Sequence, residues 1–327
     1  MPSPSQTQHT TTSLPPEKAP LLQPQSHNNP PTILQKALSS PLTWTGGPYA
    51  ILLQFASPPI ALGSLSHSRF ASDGLSRLRR TAAYLLAITH GTALQKSTIR
   101  GLVNKQHSFV KGGIYGYDAR DGGLQKWTAA TLLMGILVVD GVFYGDANGD
   151  GDGIREGWRT GWGWIPSGRR RMTRAEKEEL CLQAGVFGSS LDMPKEMWFS
   201  SLEEFEGYFD QMINKELEIS DAAREISRVF LYEMKLPFWL AWLMPVVRVF
   251  MTFWLPPRWR EAYGLADPEG GGLWMVVMSG WYVVLVWGGW LVDLLMPGWV
   301  KGWLFGVVKR DMEWAVEEIL RTGRWPM

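Results

Sequence analysis

Near the start of a periodic stretch beginning at Leu75, Arg77, Arg80, Thr81 and Tyr84 recur at spacings of three and four residues. In a helix such residues share one face. Thr81 lies between Leu78 and Leu85, on a stripe expected to be half buried. Cations and a hydroxyl set against an apolar core need a partner, because an unpaired buried charge is costly. That partner is either an acidic side chain, giving an ordinary ion pair, or an anionic ligand. A second stretch puts Ile99, Val103, His107 and Val110 on one stripe, which points the imidazole inward. An inward histidine is either a hydrogen-bonded core residue or a ligand. A neutral imidazole is the usual proximal ligand where a haem sits between helices. One histidine suffices for a haem but not for a structural or catalytic zinc. His67 follows a run of small and apolar residues and is a secondary candidate for the same cavity. His90 falls at a helix C-terminus, where a partly charged imidazole suits the dipole, and reads as structural.

The elements that must position these groups read as helices. Asp73 is placed to N-cap a helix over about Leu75–Thr89, whose Leu75, Leu78, Ala82, Leu85 and Ile88 keep helical spacing and which closes at His90-Gly91. A second helix is expected over Ser97–Val110, ended by Gly112-Gly113. Upstream lie a short strand or helix, a break at Pro58-Pro59, and a helix over roughly Ile60–Phe70. Leu124–Val139 has little polar surface and reads as a buried helix. Thr173-x-x-Glu176 and Ser201-x-x-Glu204 are capping boxes, opening helices over about 174–187 and 202–217, with another over 221–235. Strand alternation is scarce, so the fold class is all-α.

The chain has 327 residues, enough for one large domain or two ordinary ones. Its 32 basic and 31 acidic residues give a net charge of +1, which argues against a nucleic-acid binder held by a strong positive field. The single cysteine, Cys181, excludes a disulfide framework, a cysteine zinc site and a CxxC redox pair. Residues 1–32 are rich in Ser, Thr, Pro, Gln and Asn and read as a disordered tail. They have no basic stretch leading into an apolar core, so no secretory signal is expected, and the location is expected to be intracellular. Twelve of the 18 tryptophans fall after residue 230. Residues 266–327 form an apolar, Trp-rich helical region.

The stretch from Gly46 to about Trp127 resembles the rubber oxygenase catalytic domain family, which includes the latex-clearing proteins and the mpaB-type ER-bound oxygenases. The residues that carry the likeness begin with Leu52-Leu53-Gln54, then Pro58 or Pro59 with Ala61 and Gly63, and His67-Ser68-x-Phe70. They continue through Arg77-Leu78-x-Arg80-Thr81, His107-x-x-Val110-x-Gly112, Tyr117-x-Ala119 and Leu124-x-x-Trp127. A weaker likeness runs through Trp198–Met212, Leu236-Pro237 and Trp254-Leu255-Pro256 to Arg260-Glu261-x-Tyr263-Gly264-Leu265. The resemblance implies a globin-like helical bundle over 33–265 that binds haem b. It implies use of dioxygen to cleave double bonds of a hydrophobic, isoprenoid substrate. It further implies His107 as proximal ligand to the haem iron, with Arg77, Arg80 and Thr81 as catalytic and cofactor-binding residues. Arginine at position 80 replaces the lysine of the rubber-cleaving type, so a distal amine ligand does not carry over. No acidic base can be placed by matching motifs. Two rival readings keep the fold: a haem-binding sensor or carrier without turnover, and a membrane-associated structural protein.

Three further signals compete for a role. Asp146 through Asp152 has the order of a calcium loop, but Gly153 and Gly157 occupy positions 8 and 12 and Glu156 comes one place early, so an acidic loop within an irregular insertion over 144–172 is the better reading and calcium is not expected. Arg169, Arg170 and Arg171 form a solvated face or touch anionic lipid. Leu273–Val292 has the length of a membrane span. Its tryptophans are spread through the middle, so it is either a core helix or a membrane-associated element, open to the endoplasmic reticulum as its location.

Overall fold

The computed structural model describes residues 30–67, 70–112, 117–144, 171–241, 243–265 and 272–326. Among these the protein is all-α. The helices are α1 (Ile33–Ser39), α2 (Gly47–Phe55), α3 (Pro58–His67), α4 (Phe70–His90), α5 (Ala93–Phe109) and α6 (Gly122–Phe143). They continue as α7 (Arg174–Ala184), α8 (Val186–Ser189), α9 (Leu202–Gln211), α10 (Asp221–Arg228) and α11 (Phe238–Ala241). The last four are α12 (Leu243–Trp254), α13 (Pro257–Ala262), α14 (Gly272–Leu295) and α15 (Gly298–Thr322). Two-residue strands β1 (Lys111–Gly112) and β2 (Tyr117–Asp118) pair antiparallel between α5 and α6.

Local chemistry sets most of these boundaries. Thr32 with Gln35, Thr92 with Gln95 and Thr173 with Glu176 form reciprocal capping boxes at α1, α5 and α7. The Thr92 box starts α5 a turn before the expected Ser97, and the chain leaves it at Phe109 because Val110 turns into the β1–β2 ladder, its carbonyl accepting from Ala119 N at 3.1 Å. The Ser201 box is half formed. Its hydroxyl accepts from Glu204 N, but the Glu204 carboxylate accepts from the backbone and hydroxyl of Ser200. Asp73 does not cap α4, which already begins at Phe70; the residues ahead of it tolerate helix, so the helix starts earlier. Residues 49–55 settle as helix within α2. α9 and α10 each run on as one π-helical segment, Met212–Glu216 and Val229–Glu233. The candidate calcium loop, Arg169 and Arg170 lie outside the described residues.

α6 is the axis of the body. It is buried along most of its length and packs against α2, α7, α8 and α14. Trp127 on its first turns is 1% exposed and stacks on Phe209 of α9 with ring centroids 5.3 Å apart. α6 meets the chain at the start of α2 through two glycines, Gly135 of α6 and Gly46 at the N-cap of α2. A Cβ on Gly46 would lie 2.4 Å from the carbonyl oxygen of Gly135. Neither backbone can yield without separating the helices. Gly46→Ala is therefore expected to cost about 3 kcal/mol, the upper range of overpacking, read as a fall in the urea midpoint.

Among the described residues two helical segments, α6 and Val276–Leu295 of α14, are long and apolar enough to cross a membrane, and Pro41–Phe55 with Pro58–Ser66, bent by 103°, would make a third if taken as one broken span. The surroundings of the first two differ. The apolar stretch of α6 is 72% buried inside the body, and that of α14 only 17%. α14 lays Tyr282, Val286 and Asp293 against the body and leaves Val277, Trp281, Val284, Leu291 and Leu295 exposed. The tryptophan excess accordingly divides. Trp254 and Trp259 are core residues, whereas Trp281, Trp299, Trp303 and Trp314 stand outside.

Candidate functional site

A cavity of about 640 Å³ lies among α2 to α6, β2 and α8. α4 supplies Arg77, Arg80, Thr81 and Tyr84 from the face that their spacing defined. α5 supplies Val103, Gln106 and His107. α6 adds Leu124, Thr128 and Leu132, one face at intervals of four. The remaining walls include Gln54 of α2, Ile60 and Ser64 of α3, Tyr117 of β2 and Phe187 of α8. The walls thus mix hydrocarbon with a few polar groups at fixed points, as ligand cavities do.

Several of the polar groups are held by the scaffold. Tyr84 donates to the Phe187 carbonyl at 2.7 Å and sits 2.7 Å from the Ser190 hydroxyl, joining α4 to α8. Gln54 donates to Thr131 Oγ1 at 3.0 Å. Gln125 donates to the Ala119 carbonyl at 3.1 Å and accepts from Asp192 N at 3.1 Å, fixing the turn after β2. Thr81 donates to the Arg77 carbonyl one turn back. Gly63 lets the Tyr117 ring close onto α3, since a Cβ there would lie 2.4 Å from it.

The electrostatics centre on Arg77 and His107. Arg77 is enclosed by protein on most sides and exposes itself to the cavity. Burial lowers its guanidinium from the ordinary value, while Tyr117 works in the other direction. Burial likewise lowers the His107 imidazole, and the positive charge of Arg77 lowers it further, against weaker opposition from Asp192 and Asp118. His107 is therefore neutral at pH 7. Its Nδ1 is shut off from solvent and has no hydrogen-bond partner among the described residues. Burial also raises the Tyr84 and Tyr117 phenols, so both stay protonated and act as hydrogen-bonding hydroxyls rather than as bases. The described residues that line the cavity include no carboxylate.

The structure brings Arg77, Arg80, Thr81 and His107 to one cavity. His67 ends α3, and its side chain lies outside the described ones. His90 sits elsewhere, its imidazole between the Thr89 and Ser39 hydroxyls and 5.1 Å from the Phe305 ring. Among the described residues no group of three or more His, Cys, Asp or Glu could hold a bare metal ion. The sequence reading missed Thr128, Leu132 and Phe187. The α6 pair was legible from its four-residue interval after Leu124. Phe187 had no local signal, because tertiary packing alone brings α8 to the cavity.

No curated protein and no solved structure matches the chain. The family described as "ER-bound oxygenase mpaB/B'/Rubber oxygenase, catalytic domain" matches residues 35–287, which covers every cavity residue named above and reaches into α14. With ordered motif residues from Gln54 to Leu124 meeting in one cavity inside that span, the chain belongs to the mpaB and rubber oxygenase catalytic domain family.

Proposed function

We propose that this protein is a haem-dependent oxygenase that acts with dioxygen on a hydrophobic, isoprenoid-type substrate in the cavity between α4 and α5. The observation that carries the reading is the meeting of one neutral, enclosed imidazole with Arg77 and Arg80 on a wall that mixes hydrocarbon with hydroxyl and amide groups. These residues fit haem b. His107 would hold the iron as a neutral ligand, and a buried Nδ1 without a partner is a cost of about 1–3 kcal/mol that a cavity occupant can relieve. Arg77 and Arg80 would hold the propionates through charge-assisted hydrogen bonds. When bound, haem supplies dioxygen activation; the chain supplies orientation, polarity and exclusion of water.

Ile60, Val103 and Leu132 offer hydrocarbon contacts to an apolar chain. Tyr84 is tied to α8 and keeps its proton, so it fixes the shape of the wall. Burial keeps the proton on Tyr117 against the opposing charge of Arg77, and its side chain lines the cavity as a hydroxyl donor. Haemin titrated into the protein is expected to give a Soret band saturating at one equivalent, with dioxygen consumed when polyisoprenoid or farnesyl lipids are added. Absence of the Soret band overturns the haem assignment. A haem carrier or sensor is the second reading, favoured by the lack of a carboxylate among the described cavity residues; a saturating Soret band without lipid-dependent oxygen uptake would select it.

The exposed stripe of α14 extends this reading to location. The family is described as ER-bound. α14 together with Trp299 and Trp303 of α15 would lie in the headgroup layer of that membrane with one face on the body. At the hairpin between the two helices, Lys301 pairs with Asp293 at 2.9 Å, and both are largely withdrawn from solvent.

A further inference from the structure

The segment after α15 returns to the cavity. α15 packs along α4 and α5, the two helices that carry Arg77, Arg80 and His107. Its line of buried residues, Met312, Ala315, Val316 and Ile319, faces them. Arg79 forks onto both carboxylate oxygens of Asp311 and lies 5.1 Å from the Trp314 ring, fixing α15 beside the cavity face of α4. α15 then stops at Gly323, which takes the left-handed conformation (φ 68°) and donates to the Ile319 carbonyl at 2.8 Å. The Thr322 hydroxyl donates to the Glu318 carbonyl at 2.7 Å and accepts from Arg324 N, tying the turn to the last turn of α15. The turn delivers Trp325 to the cavity wall, where its indole N–H donates to Gln106 Oε1 at 3.2 Å, one residue before His107.

We propose that Trp325 is the access-controlling residue of this cavity: its indole, aimed by the Gly323 turn and latched to Gln106, closes the α5 side, and a ligand passing there must displace it. The geometry suits a latch. One hydrogen bond to a surface amide of α5 holds the ring, and the turn that aims it depends on a single glycine. The indole is half buried, so it covers apolar wall while one edge reaches solvent. An apolar ligand can replace that cover; a hydrated solute cannot. The proposal rests on the cavity being the ligand site, but not on which ligand fills it.

The test uses a thiol placed in the cavity and needs no ligand. Thr128→Cys puts a sulfur on the α6 wall. The native Cys181 is fully buried, with its thiol pushed up to about 12 by burial, and serves as an internal control for loosening of the whole body. N-ethylmaleimide labelling of each thiol is followed by mass spectrometry, with and without Trp325→Ala. A parallel Gly323→Val variant keeps the tryptophan but strains the turn that aims it. Both are expected to speed labelling of the introduced thiol by about tenfold or more with Cys181 unlabelled, as local opening without global opening requires. An unchanged rate at the introduced thiol, or Cys181 labelling in step with it, overturns the proposal. Failure of the haemin titration leaves this readout intact, so the two ideas fail separately.

Discussion

His107→Ala is expected to abolish the Soret band of protein titrated with haemin and to remove lipid-dependent oxygen uptake. Losing a partner that merely supports a metal ligand costs about 10–100-fold in affinity, so losing the ligand itself should cost more. Arg77→Ala separates ligation from anchoring. It removes one propionate contact, a charge-assisted bond of about 1.5–3 kcal/mol, and should weaken haem binding about 10–100-fold while the Soret band persists. The pH dependence distinguishes the two roles further. Burial and then Arg77 hold the His107 pKa below 6.5. The free imidazole is therefore retained as pH falls through 6.5, and haem affinity should stay level there and drop only at lower pH. Arg77→Ala removes a positive neighbour and should move that drop upward. Folding stability has its own sign. The unfolded chain takes a proton on His107 near pH 6.5 and the folded chain only below, so the stability from this group is present above 6.5 and is lost as pH falls beneath it. A Soret band of full intensity in His107→Ala would remove His107 from the iron.

Helical class, the α4 face and the inward direction of His107 were all legible in the sequence, for one physical reason. Side chains three and four apart must share a face, and a stripe carrying Ile99 and Val103 must turn inward. What was not legible depended on neighbours distant in the chain. Leu124–Val139 looked buried because it has little polar surface, and α6 is indeed the core helix. Leu273–Val292 looks much the same, yet α14 leaves most of one face bare. Composition cannot separate a helix surrounded by protein from one covered on a single side. Helix starts show the same limit at smaller scale. Thr92 and Gln95 form a capping box as sound as that of Thr173 and Glu176, yet the apolar stripe first becomes regular at Ile99, which draws the expected start toward Ser97. Trp325 is the extreme case. It lies 219 positions from its partner Gln106, and only the packing of α15 on α5 brings it there.

Substituting Val284→Glu together with Leu291→Glu is expected to release the protein from phosphatidylcholine vesicles in a flotation assay. The two side chains are 59% and 47% exposed on the bare stripe of α14, away from Tyr282 and Val286, so folding stability should move by no more than about 0.5 kcal/mol per site. In lipid each would bury an apolar side chain worth about 1.5–3 kcal/mol, so losing both should weaken association by about 100-fold or more even before the cost of the new charges. Neutral vesicles make the test specific to this apolar face, because basic patches contribute little to them; about 0.5 M salt, which suppresses charge-driven binding by screening at a Debye length of a few ångströms, should leave the parent protein afloat. The expectation follows from what the opposite side of α14 touches. Tyr282 packs at 4.6 Å on Phe253 and accepts from the Trp254 indole at 3.2 Å, and one helical line further along Asp293 is paired with Lys301. From residue 282 to 293 the helix therefore rests on the body for about 16 Å of its length. A helix committed to protein on that line offers lipid its other face, and a variant that still floats after losing Val284 and Leu291 would move the membrane contact away from α14.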